Sequence, residues 1–287
     1  MRVLITGGAG FVGTSLALAF KRASPQANVL CFDNLRRRGS ELNIGILRHH
    51  GISFEHGDIR SRSDLECLEG SFDWLIDASA EPSVSAGVGG SPAYVIETNL
   101  GGTANCLEFC RGRVGNMIFL STSRVYSIAP LHKIQLREGE SRFEIEEQQA
   151  VAGISRRGIT EDFPTHLPRS FYGASKLASE LLIQEYAAHA GVGAIINRCG
   201  TIAGPGQFGK VDQGVFSLWV AHHYFRKPLS YMGYGGSGKQ VRDLLHPQDL
   251  YELLRRQMDA IGQISGCLLY TSPSPRDRTR SRMPSSA

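Results

Sequence analysis

In the run FYGASK, Tyr172 and Lys176 place a phenol and an ammonium four residues apart, hence on one face if the run is helical. A phenol with an ordinary pKa of about 10 is a poor base at neutral pH. A nearby lysine and an oxidised nicotinamide, both cationic, would favour the phenolate and make the pair a usable base. Thr122 follows an apolar run at 117–120 and brings a hydroxyl that can hydrogen-bond the same substrate oxygen. Without Thr122 the pair reads equally well as an exposed helix pair. With it, the group predicts a proton leaving a hydroxyl together with a hydride.

That chemistry needs a dinucleotide, and the opening MRVLITGGAGFVG offers a place for one. The apolar residues Val3, Leu4 and Ile5 read as a strand, and Gly7, Gly10 and Gly13 follow with G-x-x-G-x-x-G spacing. Glycine serves where a turn demands positive φ and where backbone must come close to a pyrophosphate at a helix N-terminus. Phe11 and Val12 open the predicted helix at 11–20, and Asp33 ends a second strand pattern at 28–32. A carboxylate in that place accepts from both ribose hydroxyls and repels a 2′-phosphate, so the predicted cofactor is NAD. The arginines of the 34–40 loop, Arg36, Arg37 and Arg38, then read as a solvated edge beside Asn34 rather than as a phosphate clamp.

The remaining elements must carry these groups to one edge. Strand patterns at 52–55, 72–78, 117–120 and 194–198 alternate with helical ones, which predicts an α/β fold with a Rossmann-type, doubly wound parallel sheet. Asp58 and Ile59 follow the third strand at its carboxyl end, with Asp58 suited to the adenine amine. Ala78 ends the fourth strand, Ala80 belongs to the bend at 79–82 across the cofactor, and Asn99 lies in a helix at 92–111. Residues 127–169 read as an irregular, solvated insertion, or a lid, with an acidic patch at Glu144, Glu146 and Glu147. A strongly amphipathic helix is expected at 171–189. Beyond it come a helix at 215–225, a strand-like run at 229–232, a glycine turn at 233–238, a return toward the sheet at 241–246, and a helix from Pro247 to 261. The expected division is a dinucleotide domain at 1–198, a partial substrate domain at 199–266 and a tail at 267–287.

At 287 residues and 41% hydrophobic content the chain suits a packed globular core. No apolar run approaches the roughly 20 residues of a membrane span, and no charged leader precedes the first strand pattern, so a cytoplasmic location without a membrane partner is expected. The six cysteines are scattered, which predicts buried free thiols, and no partner completes a zinc site with Cys106 and Cys110. His49-His50 and His222-His223 read as surface pairs, and Tyr231 and Tyr234 as packing rather than base-stacking residues. Of the net charge of +4, +3 belongs to residues 267–287, leaving no basic surface for nucleic acid in the rest. That tail, CLLYTSPSPRD and onward, resembles the in-frame translation of a transposase adaptor used in sequencing libraries, so the native sequence is expected to diverge near Gly266.

The glycine loop, Asp33, Asp58, Asn99, STSRVY and YGASK resemble the extended short-chain dehydrogenase/reductase family, whose members act on nucleotide-sugars with tightly held NAD. The blocks FDNLRRRGSELN (32–43), FEHGDIR (54–60), GKVDQG (209–214) and GSGKQVRDLLH (236–246) are most similar to the CDP-paratose (CDP-tyvelose) 2-epimerase group. The resemblance implies a triad of Thr122, Tyr172 and Lys176. It also implies a substrate side formed by Ser123, Arg124, Gln207 and Arg242, with Arg242 on the nucleotide diphosphate, and it implies homodimers or higher oligomers. Asp77 stands where the family has His, Ser127 where it has Gly, and the gap from Tyr126 to Tyr172 is longer than usual. A sugar 2-epimerase with bound NAD is therefore expected, with epimerisation at another carbon as the alternative. A 4,6-dehydratase is disfavoured because Ser123-Arg124 occupy the places of that group's Asp-Glu acid and base. A non-catalytic NAD sensor would have no use for Tyr172 and Lys176.

Overall fold

The computed structural model describes residues 1–209, 214–231 and 233–261, together with the backbone of 267–271. Most of the 209–214 block, the Tyr234 side chain and residues 272–287 lie outside the described residues.

The chain runs β1 (Arg2–Thr6), α1 (Phe11–Ala23), β2 (Asn28–Asp33), α2 (Glu41–His49), β3 (Ser53–His56), α3 (Arg62–Glu66) and β4 (Phe72–Asp77). Next come α4 (Ala93–Ile96), a wide turn at Glu97–Gly101, α5 (Gly102–Cys110) and β5 (Val114–Thr122). The segment up to the long α7 (Phe171–His189) holds α6 (Ile128–Leu131), β6 (Leu136–Glu138), β7 (Phe143–Ile145), β8 (Ile154–Ser155) and β9 (Gly158–Ile159). The last part comprises β10 (Gly193–Cys199), β11 (Thr201–Ile202), α8 (Val215–Tyr224), β12 (Leu244–Leu245), α9 (Pro247–Ala260) and β13 (Cys267–Thr271).

The main sheet is parallel throughout, in the order β13-β10-β5-β4-β1-β2-β3. Its strands alternate between two apolar layers. Val3, Ile5, Ile76, Ile118 and Ile195 pack with α1 and α9, whereas Leu4, Leu75, Phe119 and Ile196 pack with α5 and α7. This is the doubly wound arrangement expected from apolar strands alternating with helices. Phe20 of α1 meets Tyr251 of α9 edge to face at 4.9 Å.

Several expectations change. Strand β5 is longer than the apolar run at 117–120, because the pairing with β4 and β10 extends from Val114 to Thr122. Residues 229–231 are not strand, and the 241–246 return pairs Leu244-Leu245 with Thr201-Ile202 in a separate two-stranded ribbon rather than joining the sheet. The 127–169 insertion is not merely solvated: it forms two antiparallel hairpins, and Phe163 is buried against Val125 and Tyr126. Helix α7 is not strongly amphipathic. Its buried side chains are Gly173, Ser175, Lys176, Ser179, Glu180 and Ile183, so only Ile183 among them is a large apolar residue. Cys31, Cys106, Cys110 and Cys199 are buried free thiols, but Cys67 is exposed. Tyr231 packs on Trp219 with ring centroids 5.1 Å apart. Five residues of the tail, Cys267–Thr271, lie along the edge of β10 in parallel register, as an apolar β-forming run does at an open edge.

Candidate active site

The glycine turn is shaped by what it must avoid. Gly7 has φ +65°, and a Cβ there would lie 2.7 Å from the Ala78 carbonyl oxygen; one on Gly13 would lie 2.2 Å from the Gly7 oxygen. The first turn of α1 is thus pressed onto the strand turn, and Gly10, at its N-cap, contributes no side-chain cap. The N–H groups around Phe11, Val12 and Gly13 keep the positive end of the helix open to an anion, which fits a dinucleotide pyrophosphate. Gly13→Ala is expected to abolish retention of NAD through purification and to lower the thermal midpoint, read from the absorbance ratio and a melting curve.

Asp33 joins the end of β2 to this turn. One carboxylate oxygen accepts from the Ala9 N–H at 3.1 Å and the other from Leu35 N–H at 2.8 Å, while Asn43 donates to the Ala9 carbonyl at 2.7 Å. Burial raises the Asp33 pKa against these hydrogen bonds. The Asn34 amide donates to Asp58 at 3.0 Å, and Arg60 grips the same carboxylate at 2.6 Å. Burial alone would raise Asp58, yet the Arg60 and Asn34 hydrogen bonds bring it down to about 2. Ile59 is buried against Gly102, and the exposed Arg36 lies over the Tyr94 ring at 4.0 Å.

The bend after β4 is held from the helices. Asn99 accepts from the Glu81 N–H at 2.8 Å and donates to the Glu81 carbonyl at 3.2 Å and the Ser175 hydroxyl at 3.1 Å. Its own carbonyl accepts from Thr103 at 2.7 Å and from Ser179 at 2.9 Å. Asn99 therefore ties the Ala78–Ala80 bend to the helix that carries Tyr172. Asp77, fully buried, accepts from the Thr6 hydroxyl at 2.7 Å and from Ser79 N–H at 3.1 Å.

Thr122 ends β5, and Tyr172 and Lys176 lie in the first two turns of α7, which begins beside it. Thr122 caps the turn of Ser123 to Val125 by accepting from Arg124 N–H at 3.2 Å, and Ser170 caps α7 by accepting from Gly173 N–H at 3.1 Å. Gly173 is needed because a Cβ there would lie 2.1 Å from the Arg124 carbonyl oxygen, so the start of α7 abuts the turn after β5. The Thr122 hydroxyl lies beside the Tyr172 phenol and acts through a hydrogen bond to lower its pKa. Burial pushes the phenol up to about 12, opposed by the Thr122 hydrogen bond and by Arg124. The Lys176 ammonium lies 3.8 Å from the Phe119 ring centroid, where burial lowers its pKa and Asp77, Cys199, Glu180 and Cys106 oppose that fall.

Arg124 and Arg242, far apart in the chain, lie near enough for the charge of one to act on the other. Burial lowers the Arg124 pKa and the charge of Arg242 lowers it further, while Tyr172 opposes. Ser123 is half-buried beside them. Gln207 is committed locally: it donates to the Ile202 carbonyl at 3.0 Å and accepts from Ser217 at 2.9 Å.

Sequence reasoning missed the supports of the site. Glu180, one turn beyond Lys176, forms a buried ion pair with Arg198 at 2.7 Å and also accepts from Ser121. A charged residue inside the apolar strand pattern IINRC was the available signal, since a buried charge must find a partner. Glu81 acts electrostatically on Tyr172, a contact that no motif announces.

The chain is 31% identical to the CDP-paratose 2-epimerase of Salmonella typhi over 280 residues, which covers 93% of this chain and 77% of that protein. It is 28% identical to a dTDP-glucose 4,6-dehydratase of Mycobacterium tuberculosis over 279 residues, 96% of this chain and 74% of that one. Among solved structures, the UDP-glucose 4-epimerase of Thermus thermophilus in complex with NAD superposes with a TM-score of 0.71 at 26% identity, covering 95% of this chain and 78% of the other. The sequence model described as the NAD dependent epimerase/dehydratase family matches residues 3–264, and the chain belongs to that family, with NAD as its cofactor.

Proposed function

We propose that the chain is a nucleotide-sugar epimerase of the CDP-paratose 2-epimerase kind. When bound, NAD supplies a hydride acceptor that is restored within each turnover. The protein's own part begins with holding it. The glycine turn of Gly7, Gly10 and Gly13, with Phe11 and Val12, takes the pyrophosphate; Asp33, Asn34, Asp58 and Ile59 take the adenosine half; Ala78, Ala80 and Asn99 shape the bend at the other half. Tyr172 accepts the proton of a ring hydroxyl, Thr122 keeps the phenol oriented, and Lys176 supplies positive charge beneath the site. The keto-sugar turns over within the site, Tyr172 returns the proton, and the configuration inverts. Arg124 and Arg242 offer paired positive charge to a diphosphate, and Ser123 and Gln207 line the same side.

The observation that carries this reading is the start of α7, with Tyr172, pressed onto the turn after β5 that Thr122 caps, so that the Thr122 hydroxyl and the Arg124 charge both act on the phenol. Elimination of water would need a further acid and base, and Ser123-Arg124 directly follow Thr122. The 31% identity to a 2-epimerase supports assigning carbon 2. The test is incubation with CDP-paratose followed by NMR. Conversion to CDP-tyvelose without accumulation of NADH is expected. A dehydrated keto-deoxy product would identify a dehydratase, and retained NAD without turnover of any nucleotide-sugar would identify a binding protein.

A further inference from the structure

The hairpin β6–β7 grips the segment that leads to Arg242. The Lys239 ammonium pairs with Glu138 at 2.9 Å and donates to the Gly139 carbonyl at 3.0 Å, and the Phe143 N–H donates to the Lys239 carbonyl at 2.9 Å. The hairpin is itself braced: Arg137 pairs with Glu144 across the strands at 2.5 Å, and Gly139 N–H closes the turn onto Arg142 at 2.9 Å. At its other end the insertion closes on itself and is held beside the end of β5 and by β10. Ser127 exchanges hydrogen bonds with Leu167 at 3.1 and 2.9 Å, and Phe163 meets Tyr126 edge to face at 5.5 Å. Arg198, the partner of Glu180, also donates to the Glu161 carbonyl at 3.2 Å.

The gripped segment has little stiffness of its own. Gly233, Gly235, Gly236 and Gly238 all have φ between 71° and 79°, so the approach to Lys239 is built from residues with wide backbone freedom. Arg242 follows three residues later, and its guanidinium donates to Gln240 at 3.4 Å. A glycine-rich arm that must hold a guanidinium near Arg124 depends on an outside support, and the hairpin touches it on both side chain and backbone.

We propose that hairpin β6–β7, through Glu138 and Lys239, is a positioning element of the substrate site. It sets where Arg242 stands relative to Arg124, and so the affinity for the diphosphate of a nucleotide-sugar. This rests on the role given to Arg242 above. It also assigns a task to the insertion that makes the interval before Tyr172 unusually long.

The test uses charge reversal in the full chain with NAD bound: Glu138→Lys, Lys239→Glu and the double swap. Calorimetric titration with CDP is expected to show about fivefold weaker binding for each single variant, unchanged NAD content, and recovery to within about twofold for the swap. Hydrogen exchange across 239–242 is expected to quicken in the single variants and recover in the swap. Single variants that bind CDP like the parent, or a swap no better than the weaker single variant, would overturn the proposal. Should the parent chain bind none of CDP, dTDP or UDP, the substrate reading itself fails. Exchange then decides the grip separately, and unchanged exchange in Glu138→Lys overturns it.

Discussion

Tyr172→Phe is expected to lower kcat by about three orders of magnitude while the protein still purifies with NAD, because one general base is removed and the glycine turn is untouched. In the chain itself burial holds the phenol at about 12, so the protonated form dominates at neutral pH. The active form is the phenolate. Turnover of the parent therefore rises with pH toward the midpoint, and that midpoint lies below 12 once positive charge from a bound cofactor reaches the ring. The residual activity of Tyr172→Phe is expected to be flat with pH. Lys176→Met tests the other cation: removing the ammonium above Phe119 is expected to shift the rising limb to higher pH if its charge reaches the site when cofactor is bound. A limb that does not move would assign Lys176 to cofactor binding alone.

Breaking the buried pair is the second large effect. Arg198→Met leaves the Glu180 carboxylate, 1% exposed, beside the Ser121 hydroxyl but without its cation, and also releases the Glu161 carbonyl of the insertion. Removing one partner of such a pair costs about 3–5 kcal/mol, which for a chain of this size lowers the thermal midpoint by about 10 °C. Replacing both partners, with Glu180→Leu added to Arg198→Met, is expected to recover most of that loss, since no buried charge then remains. A melting curve on the single and double variants decides it. Because Glu180 lies one turn from Lys176, the single variant is also expected to lose activity below its melting range, whereas the double variant separates lost stability from lost alignment.

The resemblance of motif and spacing extended to much of the site. Gly7, Gly10 and Gly13 are legible because their spacing reflects clashes that any Cβ would create, and the distances at Gly7 and Gly13 bear this out. Helix α7 was legible in extent, from residue 171 to 189, but not in character. A periodicity argument assumes that the inward face is apolar, and here that face is given to Ser175, Lys176, Ser179 and Glu180. The insertion was misread for a related reason: its hairpins are too short for a pattern to register, and they are held by contacts to Arg198 and Lys239, far away in the chain.

By itself, the amino-acid sequence determined the parallel sheet, the glycine turn, the acidic end of β2 and the grouping of Thr122 with Tyr172, because each depends on local pattern or on residue types that tolerate little substitution. Tertiary structure alone decided which charges act on those groups. Lys176 lies over Phe119 with the charge of Asp77 acting on it, the charge of Arg242 reaches Arg124, and Arg198 finds Glu180. The physical reason is that electrostatic interaction depends on separation and burial, and both are settled only when strands and helices distant in the chain are packed together.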